Sequence, residues 1–522
     1  MSDFGYKRNL DVNECTSRGS CSNSPAVAAL EELSVAFMQQ LAYYLLRLEK
    51  FGASNGKIWQ EIVNIMASLV LVNEFSDQQL YYIVQKEFYM LEEVKKTYTM
   101  LTNSKPLKSK MLKTLSKFGE KTTLAQAIAL GEKISLENLK KNSSHYKISK
   151  EILLMILKSV CLNLVKLQDF SYSISEVVHE ILDAVDILNS QKFSEEILDD
   201  VLYKLVDIDR NLQLSLYNML IEEFKGISTV NVSRSSRKGK AILVSGENLF
   251  DLYKILIDTQ DADIDIYTHS NLLIAHALKT FQKFKHLKAH YGDGTESCIL
   301  DFATFPGAIL LTKSSHGNNE YYYRGRLFSN NYILPKGVIK ILDDDFTPVI
   351  EAALSAKGFS KGKIKDDIVV GYDFEKVVKT FKNLADKIET HEVKKIYIIW
   401  TDPHSETQKA YFSTFLSKLK TDEFAISFSY DSEKENVYSI NVGNCYPLAV
   451  GLLNLLFEYV PLNSENLYFF FTLCDVMSIS NIIALKHNGA KNISMYRCSP
   501  LNINPLLLNM LNSKFGINFY SN

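Results

Sequence analysis

Two cysteines near the amino terminus, Cys15 and Cys21, have the clearest potential to bind a metal. Small residues surround both thiols in the stretch CTSRGSCSNSP, so the segment could wrap around a metal ion or an iron–sulfur cluster. An ordinary cluster needs about four cysteine ligands, and this spacing supplies two. The pair therefore leaves two interpretations open, a metal-binding loop or two ordinary thiols.

Further polar residues lie where predicted β-strands end. Glu247 follows a strand in Ser-Gly-Glu, His269 follows one in IYTHSN, Cys445 stands in INVGNCYPL and Asp475 in FFFTLCDVM. The carboxyl ends of strands in α/β sheets are where ligands bind. A tight turn, a hydrogen-bonded histidine and a small buried thiol are the alternative interpretations. A single glycine before Glu247 is also too little to indicate a dinucleotide site.

The distribution of proline predicts a helical amino-terminal domain. Only Pro25 and Pro106 occur in the first 300 residues, and proline breaks the interior of helices. Leucine and phenylalanine recur at steps of three or four after Ser24, which is a plausible helix cap. The other predicted helices are Lys57–Val72, Asp77–Leu101, Lys150–Phe170, Ser175–Leu188 and Ser194–Phe224. These segments predict a helical bundle that ends near residue 225.

The pattern changes after a stretch of small and basic residues, Gly226–Lys240, which we interpret as a linker. Short β-rich runs then alternate with helical ones, which predicts mainly parallel sheets with crossover helices. The predicted strands are Ala241–Val244, Ile264–Thr268, Ala308–Thr312, Ile368–Tyr372, Ile396–Trp400, Phe424–Phe428, Tyr438–Val442, Tyr468–Leu473 and Ile493–Tyr496. The predicted organisation is a helical domain over 1–228 and two α/β domains over 241–362 and 366–522.

Composition excludes several classes of protein. Apolar residues make up 46% of the 522 residues and charged residues 23%, which argues against a disordered chain. With 58 basic and 60 acidic residues the net charge is -2, so we expect neither nucleic acid nor an anionic membrane as a partner. The sequence has no apolar run long enough to cross a bilayer and no secretory signal at its start. Seven cysteines do not make a disulfide scaffold, so we expect a cytoplasmic protein.

The order of these segments resembles that of the hybrid-cluster proteins, also called prismane proteins or hydroxylamine reductases, which are distantly related to carbon monoxide dehydrogenases. The fragments that carry the resemblance are CTSRGSCSNSPAVAALEEL, AILVSGENLFDLYKILIDT, IDIYTHSNLL, FATFPGAILLT and GAKNISMYRCSPLNINPLLLNML. The resemblance implies a helical domain followed by two Rossmann-like α/β domains. It also implies an amino-terminal four-iron cluster, a hybrid iron–sulfur–oxygen cluster and the reduction of hydroxylamine.

The cluster ligands that the resemblance implies are mostly replaced in this chain. Cys15 and Cys21 match the later two of the amino-terminal cysteines, and no cysteine precedes them. At the hybrid cluster the matching positions are Glu247 for a histidine, Asn271 for a glutamate, Ser315, Thr401 and Tyr430 for cysteines, Cys445 for a cysteine and Asp475 for a glutamate. Soft sulfur ligands hold iron–sulfur clusters, and these hydroxyls are not thiolates near neutral pH. Glu247, Cys445 and Asp475 would together hold a single metal ion at most.

The sequence thus predicts a non-catalytic structural or interaction protein without a resident cofactor. Its expected partner is another protein or a second copy of the chain. One alternative is a residual iron–sulfur or metal-dependent oxidoreductase that acts on hydroxylamine or related nitrogen species. It would use Cys15 and Cys21 for a cluster and Glu247, Cys445 and Asp475 for a metal. A second alternative is a small-molecule binder with His269 and Asp402 at its cavity.

Overall fold

The structure is a computed structural model that divides into two compact units. It describes residues 24–53, 55–103, 112–141, 144–189, 194–292, 298–313, 325–334, 337–400, 406–428, 434–472, 475–496 and 505–520. The first unit takes in the described residues up to Leu212, with those of Cys474–Ala484 and Ser499–Lys514. The second takes in the rest of the described chain.

Long helices form the first unit, as the proline distribution predicts. The helices are α1 Pro25–Glu49, α2 Gly56–Ser68, α3 Asp77–Thr102, α4 Leu112–Leu115, α5 Leu124–Lys141, α6 Ser144–Gln168, α7 Val178–Asn189 and α8 Glu195–Glu223, which continues into the second unit. Ser24 caps α1 by accepting a hydrogen bond from Val27 N at 3.1 Å. The predicted cap at Ser24 is thus confirmed, and Ser76 caps α3 in a reciprocal capping box with Gln79.

The apolar stripe of α1 forms part of the core of this unit. Its leucines and Phe37 are buried at the predicted spacing, and α1 contacts α3, α5 and α7 along its length. Burial of one such side chain contributes roughly 1.5–3 kcal/mol, so the stripe accounts for the position of α1. Two helices that follow β-strands in the chain, α15 Val476–His487 and α16 Pro505–Ser513, contribute most of their residues to the same unit.

One six-stranded parallel sheet lies in the earlier part of the second unit. Its strands are β2 Lys240–Ser245, β3 Ile264–His269, β4 Leu287–His290, β5 Ala308–Leu311, β6 Leu327–Ser329 and β7 Ile339–Lys340, in the spatial order β4-β3-β2-β5-β6-β7. The helices α9 Leu249–Asp258 and α10 Cys298–Thr304 lie between strands, and α11 Thr347–Ser355 packs on β2 and β5. The strands β2 and β3 are buried almost throughout, as parallel strands covered on both faces must be.

A second six-stranded parallel sheet follows. Its strands are β9 Lys395–Trp400, β10 Glu423–Ser427, β11 Val437–Ser439, β12 Leu467–Phe471, β13 Asn492–Tyr496 and β14 Asn518–Tyr520, in the order β11-β10-β9-β12-β13-β14. The helices α12 Phe374–Glu389, α13 Glu406–Ser417 and α14 Tyr446–Phe457 precede or connect its strands. The helical unit and the two parallel sheets confirm the predicted fold class.

Two sequence interpretations are wrong in this region. The supposed linker Gly226–Lys240 contains β1 Val230–Val232, which pairs antiparallel with β8 Ile368–Val370 in a separate two-stranded sheet. Hence Ile368–Tyr372, predicted as part of a parallel sheet, is not. The run Thr-Val-Asn-Val alternates with period two, which indicates a strand with one buried face, and Val232 and Val370 are buried. No helix in the described ranges combines the length and apolar character needed to cross a membrane.

Candidate functional site

The first sheet places Ser245, Gly246 and Glu247 in a tight turn between β2 and α9. Gly246 has φ 131°, a backbone conformation that residues with a side chain rarely adopt. Asn248 then caps α9, and its side chain accepts a hydrogen bond from Asp251 N at 2.8 Å. The strand–turn–helix predicted for this segment is confirmed. The positive φ of Gly246 therefore explains why this turn contains a glycine.

Thr312, just after β5, holds this turn in place. Its hydroxyl oxygen accepts hydrogen bonds from the backbone amides of Glu247 and Asn248, both at 3.2 Å. The Thr312 amide in turn donates to Ser245 O at 2.9 Å. Thr312 is buried and Glu247 is half-buried, so the backbone at Glu247 is fixed by hydrogen bonds within the protein.

His269, at the end of β3, lies between a hydroxyl and a carboxylate. Its Nδ1 is 2.8 Å from Ser245 Oγ, and its Nε2 is 3.3 Å from Asp301 Oδ2. One tautomer of the ring satisfies both contacts, because Nε2–H can donate to the Asp301 carboxylate while Nδ1 accepts the Ser245 proton. Ser245 is 3% exposed and His269 1% exposed. This Ser–His–Asp chain is therefore a buried structural network, since no substrate can reach its hydroxyl.

A second polar network centres on Thr268. Its hydroxyl is 2.8 Å from His276 Nε2 and 3.0 Å from His290 Nδ1. A hydroxyl has one proton, so Thr268 donates to one imidazole and can accept from the other. Burial lowers the pKa of His276 to about 4, which keeps that ring neutral. In both networks the hydroxyl and imidazole groups are hydrogen-bonded to one another within the protein.

Sequence reasoning missed His290, Asp301 and Thr312 as members of these networks. His290 ends β4, which was not predicted because LKAH is short and lacks a clear apolar alternation. Thr312 could have been found, since it follows the predicted apolar run AILL in the same way that His269 follows IDIYT. Asp301 lies in a seven-residue helix and gave no signal in the sequence.

Cys445 caps the amino end of α14, at the strand-to-helix position that the sequence predicts. Gly443 and Asn444 before it both have φ 60° and form a sharp turn. A β-carbon at Gly443 would lie 3.2 Å from Ile274 N, so this turn packs against the 3₁₀ segment Ser270–Ala277. The structure therefore brings the Cys445 turn next to the segment that carries Asn271.

Asp475, in the first unit, serves as a helix cap. Its Oδ1 accepts a hydrogen bond from Ser478 N at 2.7 Å, and its carbonyl oxygen accepts one from Ile479 N at 3.2 Å. A carboxylate at a helix amino terminus is favourable because it satisfies an amide and faces the positive end of the helix dipole. This local role accounts for an acidic residue at the position.

Several predicted site residues lie outside the described part of the chain. They are Cys15, Cys21, Ser315, Thr401, Asp402, Tyr430 and Cys474. Their roles, including the proposed cluster remnant at Cys15 and Cys21, stay predictions. The metal site predicted from Glu247, Cys445 and Asp475 likewise stays a prediction.

Comparison with known proteins identifies the family. The sequence profile of the Prismane/CO dehydrogenase family matches residues 11–428. The chain is 25% identical to a protein named hydroxylamine reductase from Thermodesulfovibrio yellowstonii, over 97% of this chain and 96% of that protein. A protein of the same name from Rhodospirillum rubrum is 23% identical, over 96% and 94% of the two chains.

Among solved structures, the alpha subunit of an acetyl-CoA synthase/carbon monoxide dehydrogenase is similar over 97% of this chain and 82% of its own. The sequence identity is 10% and the TM-score 0.47. The family profile, which spans most of the sequence, confirms the predicted resemblance. The chain therefore belongs to the Prismane/CO dehydrogenase family.

Proposed function

We propose that this chain is a non-catalytic member of its family that has given up the hybrid cluster and acts as a structural or interaction protein. The observation that carries the proposal is the set of donor atoms. Of the positions that the resemblance matches to hybrid-cluster ligands, one, Cys445, carries a thiol. Iron–sulfur clusters are held by thiolates, so this set of donors does not fit the cluster.

The contacts of the described residues support the same interpretation. His269 uses one ring nitrogen toward Ser245 and the other toward Asp301, so neither is directed at a metal. Asp475 accepts the amide of Ser478. Polar groups at or near the positions that the resemblance matches to cluster ligands are thus hydrogen-bonded within the protein. Such contacts stabilise a fold without any redox chemistry.

Three large apolar side chains are exposed on one face of α3, which makes it the face to test for an interaction role. Tyr82 is 60% exposed, Tyr89 53% and Met100 77%. With 3.6 residues per turn, spacings of seven and eleven residues place all three on one face of the helix. A concentration series of mass measurements in solution, with Tyr89→Glu as the comparison, would show whether a second copy uses this face.

The experiment for the main proposal is anaerobic purification followed by iron and sulfide reconstitution. Iron, acid-labile sulfide, the electron paramagnetic resonance spectrum and hydroxylamine reduction are then measured. The Thermodesulfovibrio yellowstonii relative, treated in parallel, is the control for the procedure. We expect no cluster signal and no turnover from this chain. A cluster signal with turnover would overturn the proposal.

A residual iron–sulfur or metal-dependent oxidoreductase is the second candidate. The names of the two relatives favour it, as does the thiol at Cys445 beside the segment that carries Asn271. This candidate predicts bound metal that is lost in Cys445→Ser and retained in Cys298→Ser, since Cys298 is a buried cysteine elsewhere in the fold. Equal metal content in both variants would exclude Cys445 as a ligand.

A further inference from the structure

A basic surface lies next to the two-stranded sheet of β1 and β8, in the second unit. The segments 233–240 and 357–365 contain eight lysine and arginine residues and no acidic residue. These eight are Arg234, Arg237, Lys238, Lys240, Lys357, Lys361, Lys363 and Lys365. Because the whole chain has a net charge of -2, its near-neutral balance conceals a local concentration of positive charge.

Backbone hydrogen bonds pair the two segments, so that their charges share one surface. Ser236 and Lys363 exchange hydrogen bonds at 2.9 and 3.0 Å, and Gly239 and Phe359 exchange them at 3.1 and 2.8 Å. This pairing continues that of β1 with β8. We call the paired segments 233–240 and 357–365 the basic ribbon. Basic residues that are far apart in the sequence are thus fixed next to one another.

Some charges of the basic ribbon are close enough to repel one another. Lys365 is half-buried, and its pKa is lowered by burial and then by the charges of Arg234 and Lys363. Asp301 acts in the opposite direction and is the smallest of the four effects. Like charges held together cost free energy, and a bound anion offsets that cost. The arrangement therefore favours a negatively charged partner.

Much of this charge is exposed and has no internal partner. Within the ranges that the structure describes, no carboxylate forms an ion pair with four exposed lysines, Lys238, Lys357, Lys361 and Lys363. Arg237, by contrast, forms a salt bridge with Asp265. Ile364 lies between two of the basic residues and is 94% exposed. The basic ribbon thus presents an aliphatic side chain among cations to the solvent.

We propose that the basic ribbon binds an acidic segment of a partner protein, one in which acidic residues alternate with apolar ones. Carboxylates of the partner pair with the exposed lysines, and its apolar side chains contact Ile364. An apolar centre with a charged rim is the usual composition of a protein interface. The proposal rests on the proposed function, because it names the class of partner that an interaction protein requires.

Two other polyanions fit the basic ribbon less well. Single-stranded nucleic acid stacks its bases on exposed aromatic rings, whereas Phe359, the one aromatic residue of the ribbon, packs against Tyr267 and Phe305. An anionic membrane surface would bring its charge close to Asp366 and Asp367, which are exposed and directly follow the ribbon. A protein segment can follow the lysines and leave these two carboxylates in water.

The probe is a short peptide that alternates glutamate with leucine, and fluorescence anisotropy measures its affinity for the whole chain. A peptide with serine in place of leucine, single-stranded RNA and phosphatidylserine vesicles are measured in parallel. We expect the glutamate–leucine peptide to bind most tightly. Its affinity should fall as the Debye length decreases from about 30 Å at about 0.01 M salt to about 10 Å at about 0.1 M salt. No binding of this peptide, or tighter binding of RNA or vesicles, would overturn the proposal.

A double variant, Lys361→Glu with Lys363→Glu, tests the basic ribbon itself. We expect about tenfold weaker peptide binding, because repulsion replaces two ion pairs. Both lysines are exposed, so the melting temperature should stay unchanged. The matched control is Lys418→Glu with Lys420→Glu, which makes the same change of charge at exposed residues between α13 and β10 and should bind like the wild type. Equal weakening in both double variants would attribute binding to net charge alone and overturn the proposal.

Ile364→Ser distinguishes an acidic–apolar segment from any other polyanion. We expect about fivefold weaker binding of the glutamate–leucine peptide and unchanged binding of the glutamate–serine peptide, because only the first contacts Ile364. Equal effects on the two peptides would overturn the proposed specificity. Iron, sulfide and hydroxylamine reduction are measured on the same sample. A cluster with turnover would overturn the proposed function whether or not the peptide binds, whereas a lack of peptide binding in cluster-free protein would overturn this inference alone.

Discussion

Buried polar groups are held differently in the helical unit and at the strand ends of the first sheet. In the helical unit, Lys158 is 2% exposed, and its Nζ is 2.9 Å from Oε1 of the fully buried Glu31. At the strand ends, hydroxyl and imidazole groups are joined, as in the contact of Ser245 with His269. A buried full charge depends on its partner far more than a neutral group does. Substitutions that unpair a buried charge in the helical unit should therefore cost more than substitutions at the strand ends.

The largest effect is expected for Lys158→Met. It leaves the Glu31 carboxylate buried without its cation, which costs about 3–5 kcal/mol of unfolding free energy. Denaturant unfolding at pH 7 measures the loss. Lys86→Met is the control, because Lys86 is exposed beside Glu61 and such pairs contribute at most about 1 kcal/mol. Equal losses of unfolding free energy in the two variants would contradict the expectation that the buried ion pair matters more than the surface pair.

Glu87 tests whether a buried carboxyl of the helical unit is neutral. Glu87 is fully buried and accepts a hydrogen bond from Ser34 at 2.8 Å, and burial raises its pKa well above the ordinary value of 4.5. The folded state then holds the proton more tightly than the unfolded state. This contribution to stability is complete below about pH 4.5 and is lost as the pH rises toward the native pKa, at about 1.4 kcal/mol per pH unit.

Glu87→Gln should remove this loss, because an amide has no proton to release. As the pH rises above about 4.5, we expect the unfolding free energy of the wild type to fall relative to that of the variant. Denaturant unfolding at several pH values measures this difference. Glu92→Gln, on the same helix but exposed, should follow the wild-type curve. Parallel curves for Glu87→Gln and the wild type would mean that Glu87 is ionised in the core.

Ser245→Ala probes the strand-end network. It removes the hydroxyl that is hydrogen-bonded to His269 Nδ1 and leaves that buried nitrogen without this partner, which costs about 1–2 kcal/mol. The loss is smaller than for Lys158→Met because no full charge loses its partner. Thermal unfolding measures it, and Ser417→Ala is the control, because the Ser417 hydroxyl is exposed and donates to Thr414 O within its own helix. A loss as large as that for Lys158→Met would contradict the difference between the two regions.

Much of the fold follows from local sequence, and less of the site does. The helix α1 was predictable because its caps and apolar spacing lie within a few residues of one another. The strand β1 was not, since three residues gain their stability from a partner about 140 positions away. Asp301 shows the same limit, because its role depends on His269 in another element. Helices and strands can be predicted from local sequence patterns. A hydrogen-bond network between residues far apart in the chain becomes visible only when the structure shows which elements are in contact.

The smallest effect concerns Asp475 and decides between a helix cap and a metal ligand. Asn is as good a cap as Asp, whereas Ala cannot accept the Ser478 amide. A capping role therefore predicts a loss of about 1 kcal/mol for Asp475→Ala and of less than about 0.5 kcal/mol for Asp475→Asn. A metal ligand requires the negative charge, so both variants would lose equally. Denaturant unfolding with and without added iron or chelator separates the cases. Stabilisation by iron that is present in the wild type and absent in Asp475→Asn would show that the carboxylate holds an ion.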